Sequence, residues 1–557
     1  MNQRARGSGT GSLLAPLRLP LFRRIWTASL LSNLGFMILS VGAAWNMTLL
    51  SPRAELVALV QTALMLPMML FALPAGAIAD MYDRRKVALT ALVISLVAGA
   101  GLAAAAFAGL ATPWLLLGFC FLVGTGMALF SPSWQAAVAE QVPSEDLPSA
   151  VALNSISFNV ARSIGPAIGG LIVAAAGTSL AFAVNTLCYV PLFIAMILWR
   201  RTPLPTRLPP ERIDRAVSSG VRYAIHSPAI RAVILRTAAI GIPGSAISSL
   251  LPLVTRDLIA GQAQTYGILL GAFGIGSVLG AIALPRIRNA LSGEAALSLS
   301  SLLLALCIAA IGLSHILVAT ILALLIAGAC WMTALTSLNV TVQMSVPRWV
   351  AGRALAAYQT AIAGGVAVGS WIWGSIAEHL GTSSALLTSA ALLAATLLLR
   401  QVWRVPDVTA ANRDTIELQD PEVRLALSGR SGPIIIEIEY RVDVDEARAF
   451  YDRMRKLRAA RLRTGAYDWS IARDIADPEC WIERFHCATW NEYLRQRSRS
   501  TADERSLFDE ARLFHRSEAS LRVRRLLERP FGSVRWRDNA FAADSGPPAS
   551  ADGLPSI

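Results

Sequence analysis

Long apolar runs follow one another along most of this chain, and they constrain its fold more than any other feature. Each run has roughly 18 to 26 residues, and about 20 residues in a helix cross the hydrocarbon core of a bilayer. Twelve runs can be separated, near residues 25–50, 56–79, 87–110, 113–138, 150–176, 179–199, 233–255, 266–285, 295–313, 317–342, 352–378 and 382–402. The sequence therefore predicts twelve transmembrane helices.

The composition argues against the main alternative, a large soluble helical protein. Of the 557 residues, 54% are hydrophobic and only 16% are charged, and a water-soluble chain does not contain so many long uncharged stretches. The first 24 residues lead directly into the first run, so we expect that run to remain as an anchor and not to be a cleaved signal. The six cysteines have no metal-ligand spacing, and we expect them to be reduced packing residues.

The basic residues predict the orientation. Loops on one side carry many arginines and the cluster RRK at 84–86, whereas the opposite loops carry only Arg53 and Arg256. By the positive-inside rule we expect both termini to lie in the cytoplasm. We also expect this multi-pass protein to lie in the cell inner (plasma) membrane. The net charge of +13 then reflects topology and an Arg-rich tail, so the bilayer is the expected partner and nucleic acid is not.

Two six-helix halves can be aligned with each other. A shift of 204 residues places 142–179 on 346–383 without a gap, and Gly177 then coincides with Gly381. Such a parallel repeat is typical of transporters whose substrate lies between two rocking halves. We therefore predict a cytoplasmic N-terminus, a six-helix bundle, a linker, a second bundle, a second linker, a soluble domain and a basic tail without fixed structure, at 1–24, 25–199, 200–228, 229–402, 403–431, 432–516 and 517–557.

The loop between the second and third helices has the sequence GAIADMYDRRKVAL, residues 76–89. Gly76 permits close helix approach, Asp80 can face the N-terminus of a neighbouring helix, and the basic cluster can reach carboxylates of the other half. The basic residues alternatively serve only to set the topology. The loop closely resembles the loop motif of the major facilitator superfamily, which implies a latch of the outward-open state formed by Gly76, Asp80, Asp83, Arg84, Arg85 and Lys86.

The fifth helix contains ARSIGPAIGGLI, residues 161–172, and resembles the Gly-Pro-x-x-Gly-Gly motif of exporters in this superfamily. Glycines allow a helix to pack tightly, and an internal proline favours a bend. The resemblance implies that Gly165, Pro166, Gly169 and Gly170 seal one face of a cavity at the interface of the halves. Ordinary small-residue packing is the alternative.

Arg162 lies roughly 18 Å along the fifth helix, near the middle of the bilayer. Acidic residues occur only near the ends of the runs, so this arginine either caps backbone carbonyls or faces a polar cavity that attracts anionic groups. Other polar and aromatic residues could line the same cavity or simply bond between helices. They are Asn33, Asn46, Gln61, Asn154, Asn159, Trp331, Asn339, Gln343, Tyr358 and Gln359.

More narrowly, FRRIWTASLLSNLG at 22–35 and NSISFNVARSIGP at 154–166 resemble the enterobactin-exporter-like branch of the superfamily. This resemblance implies a secondary active exporter of small amphipathic molecules (drugs, siderophores or secondary metabolites) that works by alternating access, with the proton as the expected coupling ion. No Walker motif is present in the sequence, and we expect neither a cofactor nor an enzyme activity. An importer on the same fold, or a membrane-tethered sensor or enzyme acting through the tail, remain alternatives.

The residues after 431 change to the pattern of a soluble domain. PIIIEIEYRV alternates as a strand, an amphipathic helix follows, and two strands and another helix complete a ferredoxin-like α+β order. The segment resembles antibiotic-biosynthesis-monooxygenase-like domains, which form dimeric α+β barrels. The resemblance implies an exposed apolar sheet face and a homodimer. The full prediction is an all-α polytopic membrane protein with twelve transmembrane helices in two repeats, plus this small α+β domain.

Overall fold

Long helices make up most of the protein. The computed structural model describes residues 14–138, 140–143, 145–199, 213–347, 350–405, 421, 423–425, 427–499, 501–516 and 521–528. Eleven helices in these ranges are long and apolar enough to cross a membrane. In chain order, with the shorter linker helix α6, the helices are α1 Pro20–Leu50, α2 Ala54–Met81, α3 Arg84–Phe107, α4 Pro113–Val138, α5 Leu147–Leu198, α6 Ile213–His226, α7 Pro228–Leu253, α8 Ala263–Ala290, α9 Gly293–Leu313, α10 Leu317–Ser345, α11 Ala351–Leu380 and α12 Thr382–Ala395.

A glycine divides α5 into two membrane spans. The helix has 52 residues, which at about 1.5 Å each is far longer than the ~30 Å core of a bilayer. Gly177 interrupts it with φ 80° and ψ 174°, and the equivalent Gly381, with φ 85° and ψ 159°, separates α11 from α12. These backbone angles favour glycine. The eleven helices therefore contain the twelve predicted spans: α1–α4 are spans 1–4, the parts of α5 are spans 5 and 6, and α7–α12 are spans 7–12.

The two halves contact each other along spans 5 and 8 and along spans 2 and 11. We call outer ends the span ends next to 51–53, 108–112, 177, 259–262, 314–316 and 381, because the sequence predicts them to be extracytoplasmic, and inner ends the opposite ones. At the outer ends a Cβ on Gly267 would lie 2.7 Å from the Gly170 Cα. A Cβ on Gly374 would likewise lie 2.5 Å from the Ala58 Cβ. The halves are thus in backbone-close contact at their outer ends.

The chain divides into two compact units. The first, the membrane unit, comprises Met1–Ser218, Ala229–Gln343 and Gly352–Val408. The second, the tail unit, comprises Ser219–Pro228, Met344–Ala351 and Thr409–Ile557. The tail unit therefore includes the end of the linker helix α6 and the segment before α11, in addition to the C-terminal domain.

The C-terminal domain has one four-stranded antiparallel sheet in the order β2-β3-β1-β4. Its strands are β1 Ile434–Arg441, β2 Tyr467–Arg473, β3 Cys480–Cys487 and β4 Arg522–Leu527, and its helices are α13 Ala447–Thr464, α14 Trp490–Ser498 and α15 Ala502–Arg512. Alternate residues of β1 are buried, which gives the sheet a core face toward the helices. This order and topology confirm the predicted ferredoxin-like arrangement.

Two predictions for the tail were wrong. Strand β4 lies in the segment predicted to have no fixed structure after 516, and it pairs with β1 in register from Ile434 with Leu527 to Glu439 with Arg522. The arginines of this segment make the strand hard to predict from the sequence. Only alternate residues of the strand face the core, so few of them need to be apolar. The outer sheet face is also not the apolar surface expected for a dimer, since Glu437 there contacts Arg484 and Arg524.

Candidate functional site

The loop between spans 2 and 3 is tied to the first half. Asp83 caps α3, because its carboxylate accepts a hydrogen bond from the backbone N–H of Arg85 at 2.9 Å. Arg84 forms a 2.8 Å ion pair with Glu140, which follows span 4. The Arg85 side chain donates to the Met196 carbonyl at the end of span 6, at 2.9 Å. Each of these contacts lies within the first half, whereas we predicted that the basic cluster reaches across to the second.

The glycine of this loop motif faces open space. No other part of the described structure comes within 4 Å of the point where a Cβ on Gly76 would lie, and the same holds for Gly352 at the start of span 11. The close approach predicted for Gly76 is therefore not present in this conformation. The side chain of Asp80 lies outside the described part of the structure, so its role as the latch stays a prediction.

The glycines of span 5 contact spans from both halves. A Cβ on Gly165 would lie 2.6 Å from the Met37 Cβ, and one on Gly169 would lie 3.1 Å from the Ile38 Cα, both in span 1. Gly170 contacts Gly267 of span 8 instead. Pro166 is buried inside the helix between these contacts. Span 5 is therefore wedged between span 1 of its own half and span 8 of the other.

Arg162 lies on span 5 beside a hydrogen bond that joins the halves. The hydroxyl of the next residue, Ser163, donates to the Gly274 carbonyl of span 8 at 3.1 Å. Arg162 is half-buried, and Tyr358 of span 11 interacts with it electrostatically. The Tyr358 hydroxyl donates to the Leu335 carbonyl at 2.8 Å. Two of the predicted cavity residues, one from each half, are thus brought together.

Four other predicted cavity residues, Asn46, Trp331, Asn339 and Gln343, make their contacts inside one half. Asn46 accepts a hydrogen bond from the Thr178 hydroxyl at 3.0 Å, and the Gln343 amide donates to Asn339 one helical turn away. Trp331 is 7% exposed within the second half. These contacts favour a packing role for Asn46 and Trp331.

The remaining polar residues are half-buried on spans 1, 2, 5 and 11. Asn33 makes a long 3.5 Å hydrogen bond to the Ser157 hydroxyl, between spans 1 and 5. Half-burial keeps these side chains available to a polar ligand between the halves, although each can also bond between helices. The group comprises Asn33, Gln61, Asn154, Asn159 and Gln359.

The outer ends carry a polar contact between the halves that the sequence analysis missed. Glu378, in the last turn of α11, accepts hydrogen bonds from the backbone N–H groups of Ala54 (2.5 Å) and Glu55 (3.4 Å) at the start of α2. A carboxylate is stabilised there by the free N–H groups and the helix dipole. Arg53 is a further partner at 4.0 Å. No local pattern marks this pair, because the two residues are 324 positions apart.

Aromatic and backbone contacts close the same face. The Trp45 ring of span 1 stacks on the Tyr266 ring of span 8, with centroids 5.9 Å apart. The Thr62 hydroxyl of span 2 donates to the Ala367 carbonyl of span 11 at 2.8 Å. We call these contacts, together with Glu378 and the Gly170–Gly267 approach, the outer gate.

A second missed feature is a buried ion pair in the second half. Arg236 of span 7 is 1% exposed and donates to Glu294 at 2.6 Å and to the Thr396 carbonyl at 2.9 Å. The other Glu294 oxygen accepts from the Val405 N–H at 2.9 Å. A charged residue inside the apolar run AVILRTAAIG was the signal that could have found it. The pair fixes span 7 to the start of span 9 and the end of span 12.

The interior of the C-terminal domain holds a buried carboxylate. Glu483 is fully buried and accepts hydrogen bonds from Tyr440 (3.2 Å), Arg461 (3.1 Å) and Trp469 (3.0 Å). Burial, and then the Glu483 charge, raises the pKa of the Tyr440 phenol well above its ordinary value, so the phenol remains a donor. The three donors satisfy the carboxylate within the domain, which favours a packing role for this cluster.

Neither a nucleophile nor a metal site stands out in the described residues of the domain. Burial raises the pKa of the Cys487 thiol to about 12, and the thiol form is a poor nucleophile. No group of three His, Cys, Asp or Glu side chains in the described ranges could hold a metal ion.

A family comparison assigns the chain as a whole. Residues 11–531 match the model of the MFS family described as transmembrane secretion effector. The match includes both halves and also the four-stranded domain. The C-terminal domain is therefore within the part of the chain that the family model describes.

Individual relatives are similar at low identity. The chain is 26% identical over 266 residues to a staphyloferrin A transporter of Staphylococcus aureus (strain NCTC 8325 / PS 47), covering 47% of this chain and 66%, just under two thirds, of that protein. It is 25% identical over 367 residues to an enterobactin exporter of Escherichia coli (O1:K1 / APEC), covering 64% of this chain and 85% of that protein.

The fold is shared with solved transporters. A crystal structure of the nucleoside transporter NupG (D323A mutant) superposes with a TM-score of 0.58 at 12% identity, over 69% of this chain and 100% of that one. The family match and the twelve spans show that the chain is a multi-pass membrane transporter and belongs to the transmembrane secretion effector family of major facilitator transporters.

Proposed function

We propose that this protein is a secondary active exporter of small amphipathic molecules that works by alternating access. The observation that carries the proposal is the outer gate, in which Gly170 of the exporter-like motif meets Gly267 of the other half. Glycine at both positions allows backbone contact, and this closes the outer face. With the predicted topology, the conformation is inward-open and ready to accept cargo from the cytoplasm.

The gate is built from contacts that can separate as the halves rock. The Glu378 cap and the Thr62 hydrogen bond each join one residue of the first half to one of the second. The latch loop at the opposite face, by contrast, has no described residue packed against the Cβ position of Gly76. We infer that the outer gate holds the inward-open state and that the latch loop holds the outward-open state.

The expected cargo class rests on the relatives. Two proteins named for siderophores, a staphyloferrin A transporter and an enterobactin exporter, are 26% and 25% identical to this chain. We propose a siderophore or a similar amphipathic metabolite as cargo and the proton as coupling ion. The pairing of two tail domains is left out of the proposal, because the ion pairs of Glu437 occupy the sheet face that pairing needs.

Transport into everted membrane vesicles tests the direction. We expect enterobactin or staphyloferrin A to accumulate inside everted vesicles when a proton gradient is imposed. An agent that collapses the gradient should abolish this accumulation. Gly267→Trp should abolish accumulation, because the side chain would prevent closure of the outer gate, whereas Gly118→Trp faces open space and should be tolerated. Accumulation in right-side-out vesicles instead would support an importer.

Removal of the tail separates transport from a tail-borne activity. A chain ending at residue 430 should still accumulate cargo, since all twelve spans precede that point. Complete loss of function in a well-folded truncated chain would favour the sensor or enzyme alternative.

A further inference from the structure

We propose that Arg162 binds an anionic group of the cargo, a carboxylate or an ionised phenol. The proposal rests on the proposed function, because it requires that cargo passes between the halves. Arg162 is half-buried on span 5, next to the Ser163 to Gly274 bond that joins the halves. No residue of the described ranges forms a hydrogen bond or ion pair with its guanidinium. Its donors are therefore available to a ligand.

Arg236 is an arginine with a structural role in this protein, and its bonding differs from that of Arg162. Arg236 is fully buried and bonded to Glu294 and to the Thr396 carbonyl. Within the ranges that the structure describes, Arg162 has neither kind of partner, although the cost of a charge in a membrane interior normally requires one. The carbonyl-capping alternative is thus not favoured, and a ligand oxyanion is the group that fits.

Tyr358 of the opposite half interacts with the Arg162 charge. Its hydroxyl proton is used by the Leu335 carbonyl, so the phenol oxygen can only accept, and it favours a cation beside it. Tyr358 offers an anion no donor and does not compete with Arg162 for it. Arg162 therefore carries a positive charge on span 5, on the side that interacts with Tyr358 of span 11. A low dielectric there strengthens its attraction for an anion.

Binding of a matched pair of fluorescent probes to the purified full chain tests the proposal. Pyrenebutyrate and pyrenebutyramide share one skeleton and differ in charge. We expect the wild type to prefer the carboxylate, and Arg162→Gln to lose roughly ten- to hundredfold in affinity for it with little change for the amide. Arg288→Gln, which removes an exposed charge from the end of α8, is the control and should keep the preference.

Two results would overturn the assignment. One is an equal loss for both probes in Arg162→Gln, and the other is a wild type without preference. If Arg162→Gln fails to fold, Arg162→Lys is tested in its place. Lysine keeps the charge but not the guanidinium geometry, so this variant should show a weaker preference for the carboxylate, and an unchanged preference would contradict the assignment. Binding is measured without a gradient, so an importer could also show the preference for the carboxylate, and this test does not depend on the direction of transport. If the wild type shows no preference but exports neutral cargo, the anion site is contradicted and the proposed export function is not.

A separate observation concerns the tail unit, where the linker helix α6 is docked on the C-terminal domain. Tyr223 of α6 is 6% exposed and interacts with Arg463 and Glu504, which pair with each other at 3.1 Å. Burial raises the pKa of the Tyr223 phenol to about 12. The neighbouring Arg222 guanidinium lies 3.8 Å from the point where a Cβ on Gly465 would lie.

We infer that the C-terminal domain regulates transport by holding this linker. The linker is the chain segment between span 6 and span 7, and its residues 219–228 belong to the same compact unit as the domain. The segment Met344–Ala351, which leads into span 11, belongs to that unit as well. A rearrangement of the halves that moves the start of span 7 or span 11 must therefore either move the C-terminal domain with it or weaken the contacts between α6 and this domain.

Tyr223→Ala in the full chain tests the restraint, with Ile225→Ala as the control because Ile225 is 56% exposed on the same helix. Spin labels at Tyr82, which is 58% exposed, and at Arg288 report the separation of the inner ends. We expect Tyr223→Ala to raise hydrogen exchange in α6 and to change the ratio of inner-end conformers roughly fivefold or more. Ile225→Ala should change neither. Faster exchange with an unchanged ratio would overturn the regulatory role, and unchanged exchange would overturn the docking itself.

Discussion

At the scale of single residues, the first prediction concerns Glu378. Its carboxylate accepts bonds from the first N–H groups of α2 across the interface of the halves. A neutral amide binds that helix end less well, by about 1 kcal/mol, or roughly fivefold in an equilibrium. Glu378→Gln should therefore raise the outward-open fraction, measured as a longer distance between spin labels at Leu110 and Ile316 in the outer loops.

Glu55→Gln is the matched control for that experiment. Glu55 lies at the same end of α2, but its side chain pairs with Arg53 of its own half at 2.9 Å. Its removal should leave the distance distribution unchanged. A similar shift in both variants would mean that charge at the outer surface, and not the contact between halves, controls the gate.

Glu483 carries a second prediction at this scale. Replacement by Gln would leave Arg461 beside a neutral group in the core, and loss of one partner of a buried pair costs about 3–5 kcal/mol. Glu483→Gln should therefore accelerate hydrogen exchange in β1 and β3. Glu439→Gln, on the outer face of the same sheet near Arg524, should have little effect, and equal acceleration in both variants would contradict a core role for the cluster.

At the scale of elements, the contact of span 5 with span 8 depends on two glycines. A methyl group on Gly267 would lie 2.7 Å from the Gly170 Cα, closer than carbon atoms can approach. Gly267→Ala should push the spans apart, favour the outward-open state and slow transport. Gly118→Ala of span 4 meets nothing within 4 Å, and should be neutral or slightly stabilising, because alanine is the better helix former. Wild-type transport by Gly267→Ala would show that the close approach is dispensable.

At the scale of the whole molecule, the outer gate and the latch loop should have opposite effects. Asp80→Asn removes the acidic group that we predict to hold the outward-open state, so the label distance between Leu110 and Ile316 should shorten. The double variant with Glu378→Gln should return toward the wild-type distribution, because each change weakens one end of the same two-state equilibrium. A double variant identical to Glu378→Gln alone would remove the latch role of Asp80.

The sequence by itself determined the membrane architecture. The twelve spans, the break at Gly177 and Gly381 and the order of the soluble domain follow from local features, since the bilayer imposes its cost on every residue of a run and a strand alternates with a fixed period. The same local reasoning missed strand β4, where arginines occupy three of the six positions and pairing with β1 supplies the register. A strand at a sheet edge needs few apolar residues of its own.

Only the tertiary structure decided which residues act together. Glu378 with Ala54, Arg236 with Glu294, Tyr358 with Arg162 and Tyr223 with Arg463 join positions far apart in the chain. Motif spacing identified the glycines of span 5 but not their partners, Met37 and Gly267. The physical reason is that composition and periodicity indicate whether a residue lies in water, in lipid or in the protein core. Which residues contact each other depends on how whole helices pack.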